Sequence, residues 1–322
     1  MKPVYIVTFI LLCIGACAKN PFWVGKTEFI TLTYSNSSTG PTISSSPTTS
    51  TPFIAVESIT ATNIGNETVQ IVLDGVRIES KNNNFEIDKI NIFEKTNKKW
   101  EDQSEFSSAA VASKTDIACV LVLDMSTSLS DVMSDLKTYA KDFVDEITSS
   151  TPNSKIGVVF FSSSANIVTT SFYDASNAEV LKSLIDNFSD YKDRTALFEA
   201  TLEGVSMLDN LNFSGPKSLV VFTDGGDNDS DNPDSALSNI KSTDYFRVSI
   251  GLKGKDFVKD DVKSIASTKS NFVVANNKKD LKKQFAYVAL QVSSVFKITY
   301  DRSDQLINDV QIKFEFKVDK IK

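Results

Sequence analysis

The chain has 322 residues, 41% hydrophobic and 10% aromatic, enough for one large domain and a small one with a substantial core. Its formal net charge of −7 and pI near 4.9 argue against nucleic acid as the main partner, because phosphate binding needs a basic face. Histidine is absent, which removes Ser-His-Asp and Cys-His catalysis and most zinc sites, and Cys13, Cys17 and Cys119 show neither metal-ligand spacing nor a disulfide framework.

At the N-terminus, Lys2 supplies a positive end and Val4 to Ala16 form an apolar stretch too short for a bilayer, which needs ~20 residues. This is the pattern of an export signal. Ile14-Gly15-Ala16-Cys17 is similar to the bacterial lipobox, with isoleucine where leucine is usual. The resemblance implies a signal peptide over residues 1–16, lipidation of Cys17, and a lipid as the membrane anchor. The alternative is a plain secreted protein with an incidental cysteine. Residues 17–52 include the Ser/Thr/Pro-rich segment Tyr34 to Pro52, whose composition predicts a flexible tether.

From Phe53 to Thr115 short strand patterns alternate with turn signals such as NIGN and KNNN. The end of the chain returns to this pattern, since Val310, Ile312, Phe314, Phe316 and Val318 alternate with polar residues, as in a half-buried strand. The expectation is a small all-β module built from residues 53–115 and 296–322, possessing one core, with residues 116–295 inserted. In that insert, the continuous apolar runs IACVLVL, KIGVVFF, SLVVF, YFRVSIGL and NFVVA read as strands buried on both faces, separated by amphipathic helices. Val132, Leu136, Ala140, Phe143 and Ile147 mark one such helix. The fold class is therefore α/β, a doubly wound, mainly parallel sheet, with ligands expected beyond the carboxyl ends of its strands.

Two of those strand ends carry aspartate. VLVLDMSTSLSD places Asp124 after one buried run with Ser126 and Ser128 in the loop, and SLVVFTDGGDN places Asp224 after another. Serines here also suit helix capping. Paired carboxylates with hydroxyls nearby suit a hard cation such as Mg²⁺. With Thr195 in TALFEA the set resembles the von Willebrand factor type A domain, whose signature is Asp-x-Ser-x-Ser, a distant threonine and an aspartate in a Thr-Asp-Gly loop.

The resemblance implies a metal-ion-dependent adhesion site formed by Asp124, Ser126, Ser128, Thr195 and Asp224, holding Mg²⁺, with Mn²⁺ or Ca²⁺ as alternatives. It further implies an open coordination position for an Asp or Glu of a protein partner. Family members often have glycine before the threonine, where this chain has Arg194. That guanidinium is a candidate clamp on the partner's carboxylate, with a solvent-facing arginine as the alternative. Asp131 matches one acidic position of an additional cation site in integrin relatives, but Val132 occupies the other. The loop Asp227, Asp229, Asp231 lacks the EF-hand pattern and reads as a solvated acidic loop.

A metal-dependent phosphatase of the haloacid-dehalogenase type would need a second aspartate two residues after Asp124, where Ser126 stands. The expectation is a non-enzymatic adhesion protein of the bacterial envelope, at the outer membrane or cell surface. The alternative is an envelope assembly or regulatory subunit binding another membrane protein of the same cell. Cys119, inside a buried run, reads as core.

Overall fold

The run ACVLVLD at residues 118–124 is buried at every position, which only a sheet covered on both faces allows. The computed structural model describes residues 26–37, 40–46, 53–65, 68–79, 85–96, 99–103, 111–303 and 310–320. Before the α/β region come β1 (Lys26–Ser37), β2 (Gly40–Ser46), β3 (Phe53–Ala55), β4 (Ser58–Gly65), β5 (Thr68–Glu79), β6 (Phe85–Thr96), β7 (Lys99–Asp102) and β8 (Val111–Lys114). Within it come β9 (Ala118–Asp124), α1 (Met133–Ser150), β10 (Lys155–Phe161), β11 (Ile167–Thr169), α2 (Ala178–Asn187), α3 (Leu197–Asn210) and β12 (Lys217–Thr223). It continues with α4 (Pro233–Lys241), β13 (Phe246–Leu252), α5 (Lys259–Ile265), β14 (Phe272–Ala275) and α6 (Lys278–Ser293). β15 (Phe296–Ser303) and β16 (Val310–Lys320) follow.

The central sheet has the order β11-β10-β9-β12-β13-β14, parallel throughout except for the short edge strand β11. Alternate residues of β9 feed opposite cores. Cys119, Leu121 and Leu123 pack with α1, α2 and α6, while Ala118, Val120 and Val122 pack with α3, α4 and α5. The chain runs from β9 to β10 on one side and then crosses to β12 on the other, so strand order reverses at β9. The carboxyl ends of β9 and β12 therefore flank the crevice in which such sheets bind ligands.

The remaining strands form two sheets, β2-β1-β16-β6-β7 and β3-β5-β15-β8, with β4 also pairing β5. Ile71, Leu73, Ile92, Ile298, Phe314 and Phe316 belong to one buried cluster drawn from both sheets. Within it, Glu94 accepts hydrogen bonds from Tyr300 Oη (3.0 Å) and Arg302 Nε (2.8 Å). The strands that enter and leave the α/β region are paired: Phe296 lies opposite Lys114, and the Thr115 amide donates to the Val295 carbonyl at 3.0 Å. Arg77, a buried residue of β5, joins these sheets to the α/β region. Its guanidinium lies 4.6 Å from the centre of the Phe246 ring and donates to Ser218 Oγ (3.3 Å) and to Glu57.

Part of the segment expected to be a tether is ordered differently. Residues 26–37 pair with β16, and residues 40–46 pair with β1, both antiparallel. Composition misled here because threonine is β-branched and suits an edge strand, and because the pairing partner lies at the opposite end of the chain. The signal segment, Cys17 and the remainder of the tether lie outside the described residues. No helix among the described residues is long and apolar enough to cross a membrane.

Candidate functional site

Asp124 ends β9 fully buried. Its Oδ1 accepts a hydrogen bond from the Ser126 amide (2.8 Å) and its Oδ2 one from Thr223 Oγ1 (2.6 Å). Burial pushes its carboxyl up to about 7, against those hydrogen bonds, and the charge of Asp224 adds to the rise. The next links run outward. Ser126 Oγ lies 2.9 Å from Ser128 Oγ, and Ser128 Oγ donates to Asp224 Oδ1 at 3.0 Å. Because the Ser128 hydrogen points to Asp224, Ser126 is the donor of the first contact. The Asp224 carboxyl is also raised, first by its own burial, with the Ser128 hydrogen bond opposing and the charge of Asp256 adding.

Thr195 is brought in by the loop before α3. Its amide donates to Asn228 Oδ1 at 2.9 Å, and the Asn228 amide returns a bond to the Thr195 carbonyl at 2.9 Å. A Cβ on Gly225 would stand 3.3 Å from Thr195 Oγ1, so the absent side chain lets this hydroxyl sit against the turn carrying Asp224. The structure thus gathers the five residues expected from the sequence around the ends of β9 and β12. Two supporting residues were not anticipated. Thr223 holds Asp124, and Asn228 holds Thr195. Thr223 lay inside the Thr-Asp-Gly signature, whereas nothing in the local pattern singled out Asn228.

Arg194 explains the glycine usual at its position. Its φ is 78°, in the left-handed region where glycine carries no steric penalty. Its side chain, 65% exposed, pairs with Asp229 at 3.2 Å. Asp229 in turn accepts from the Ser164 amide (2.9 Å) and Ser164 Oγ (3.3 Å), and these contacts with Arg194 hold its carboxyl below the usual range. Asp227 Oδ1 accepts from the Phe198 amide (3.1 Å) at the start of α3 and from Ser230 Oγ (2.6 Å). The Asp227 and Asp229 carboxylates of the acidic loop are therefore occupied with protein donors. Among the described residues, no group of three or more His, Cys, Asp or Glu side chains forms a metal cluster. Asp131 is exposed, and its carbonyl accepts from Lys278.

A divalent cation fits the Asp124 site on the chemistry of its donors. Two carboxylates with raised affinity for protons stand together and are crossed by neutral hydroxyls. Such a set favours either added protons or a hard cation with oxygen ligands. Asp124, Ser126, Ser128, Thr195 and Asp224 would supply those oxygens.

The family profile for the von Willebrand factor type A domain matches residues 119–286. No curated protein matches the chain. Among solved structures, the chain is similar to proximal thread matrix protein 1 from the mussel byssus, in a form with a zinc-occupied MIDAS motif. Identity there is 20% and the TM-score 0.49, over 60% of this chain and 49% of the other, so the chain spans about half the length of that protein. It is also similar to the pilus adhesin SpaC from Lactobacillus rhamnosus GG (11% identity, TM-score 0.48, 81% of this chain and 42% of that one). A third likeness is to the vWF domain of the type V pili tip protein Mfa5 from Porphyromonas gingivalis (12% identity, TM-score 0.47, 55% and 95%). The profile match spans more than half of the residues and contains all five site positions, and the chain belongs to the von Willebrand factor type A domain family.

Proposed function

We propose that this protein is a lipid-anchored, divalent-metal-dependent protein-binding module of the bacterial cell envelope, engaging an Asp or Glu of its partner and catalysing nothing. The observation that carries the reading is the hydrogen-bonded line from Asp124 through Ser126 and Ser128 to Asp224, which joins two buried carboxylates through the exposed Ser128. A bound Mg²⁺ or Mn²⁺, only partly neutralised by hydroxyl ligands, supplies positive charge to an incoming carboxylate. The chain's own residues prepare for this. Thr223 and the Ser126 amide orient Asp124, and Asn228 fixes Thr195. The flanking sheets serve in this reading as one β module, closed by the pairing of β1 with β16, that carries the α/β domain as an insert.

Anchoring through Cys17 and display at the cell surface rest on the sequence. Metabolic labelling with a radioactive fatty acid should mark the protein and fail to mark Cys17→Ala. Calorimetric titration of Mg²⁺ and Mn²⁺ into the chelator-treated protein tests the site. Saturable binding that Asp124→Ala abolishes is the expected result. Equal heats from both proteins would refute the assignment.

A further inference from the structure

A groove of about 620 Å³ opens beside the site, with Ser126 at one end. Its long wall is one face of α1, presenting Met133, Lys137 and Lys141, and the opposite wall holds Asp186 and Tyr191. The volume is that of a ligand cleft rather than a packing defect. Met133 to Lys137 covers four residue steps, ~6 Å of helix, about the length of two residues of extended chain, which is the least that must separate a group at the Ser126 end from one at Lys137.

The charge in this groove is unbalanced. Lys141 pairs with Asp186 at 2.7 Å. Lys137 Nζ instead donates to two carbonyls, those of Asp186 (2.7 Å) and Phe188 (2.6 Å), and lies 5.6 Å from the centre of the Tyr191 ring. Carbonyl dipoles and an aromatic face hold an ammonium in place without cancelling its charge. The charged residues that line the groove, Lys137, Lys141 and Asp186, leave one positive charge over on a protein whose formal charge is −7, with the Asp193 carboxylate held at its edge by Thr127. Tyr191, with the small exposed edge of the otherwise buried Met133, adds apolar surface to the lining.

We infer that this groove is a second subsite for the same partner. It receives an extended segment whose first carboxylate enters the Asp124–Asp224 site and whose second, two to five residues away, meets Lys137, with an apolar side chain between them over Met133 and Tyr191. The inference rests on the proposed metal-dependent recognition of an acidic side chain and adds the sequence context that side chain must have. The charge chooses an acidic peptide over a basic or purely apolar one.

The test is selection of displayed peptides containing one fixed Asp and random neighbours on the immobilised full-length protein in Mg²⁺, with elution by chelator. Selected sequences should carry a second Asp or Glu within five positions. A synthetic peptide of that kind should bind Lys137→Gln about five- to tenfold more weakly than wild type, while its single-acid counterpart should bind both alike. Because Lys137 also braces the Asp186–Phe188 carbonyls, Lys137→Arg should retain the preference, and Mg²⁺ heats should be the same in both variants. Metal-dependent peptides with no second acid, bound equally by Lys137→Gln, would overturn the subsite and leave the metal site standing. Recovery of no chelator-eluted peptide would overturn the subsite too. Calorimetric Mg²⁺ binding by the same protein would then tell whether the metal-site reading fails with it.

Discussion

Thr195 and Asn228 hold each other through two reciprocal hydrogen bonds, each 2.9 Å, that lock the loop before α3 to the loop after β12. Thr195 comes from one of those loops and Asp224 from the other, so the clamp sets the spacing of two candidate ligands. Asn228→Ala should weaken Mn²⁺ binding about 10- to 100-fold, the range typical of residues that orient ligands. Global stability should fall by only about 1 kcal/mol. Calorimetry and urea unfolding on the same variant separate the two effects, and unchanged Mn²⁺ affinity would deny the clamp its role.

Arg194 sits in a backbone conformation suited to glycine, at an expense of ~1–2 kcal/mol. Its guanidinium is 65% exposed in the ion pair with Asp229, and pairs open to solvent on one side are worth ~1 kcal/mol or less. Arg194→Gly should therefore leave stability unchanged or raise it by up to about 1 kcal/mol, measured by denaturant midpoint. A clear loss would show that the ion pair outweighs the strain.

The burial of Asp124 fixes the sign of a pH dependence. Its folded-state pKa, about 7, lies above the ordinary aspartate value of 3.8, so between these values the folded protein holds a proton that the unfolded chain has released. In chelator, this residue's contribution to stability should be fully present below pH 4 and be lost as pH rises toward 7, with a slope of at most about 1.4 kcal/mol per unit. Subtracting the profile of Asp124→Asn isolates the effect from the other carboxylates. A difference that does not vary with pH would mean that Asp124 ionises normally.

Arg77 should matter more than its distance from the site suggests. Without it, buried Glu79 loses the positive charge that opposes the burial-driven rise of its pKa, and Phe246 loses its stacked partner. Its removal also ends the buried guanidinium's ion pair with Glu57, so Arg77→Ala should cost about 3 kcal/mol at pH 7, the range for a broken buried pair. The cost should shrink near pH 4, below the ordinary glutamate value and further below the raised ones of Glu57 and Glu79. Equal costs at both pH values would assign the loss to packing alone.

The parallel sheet was legible because its strands are short continuous apolar runs with helical periodicity between them, and the site was legible because three of its residues fall within five positions after one such run. The edge strand β11 was not foreseen, being a three-residue antiparallel addition none of whose residues is buried. β1 and β2 were hidden for a different reason: their Ser/Thr-rich composition says little until β16 supplies a partner. Arg194 was noticed as a departure from glycine, yet only the backbone torsion gives that departure its physical meaning. Asn228 and Lys137 are ordinary polar residues in sequence, and their roles come from contacts 33 and about 50 positions away.

The pairing of β8 with β15 has a mechanical consequence. A partner pulling on the rim loads both connections of the α/β domain together, since the entering and leaving strands are bonded to each other. The force then passes into the ladder between β15 and β5, which runs from Phe296 opposite Val76 to Ser303 opposite Thr68. Tension along those strands shears the ladder, sharing the load across many hydrogen bonds at once instead of peeling them in turn.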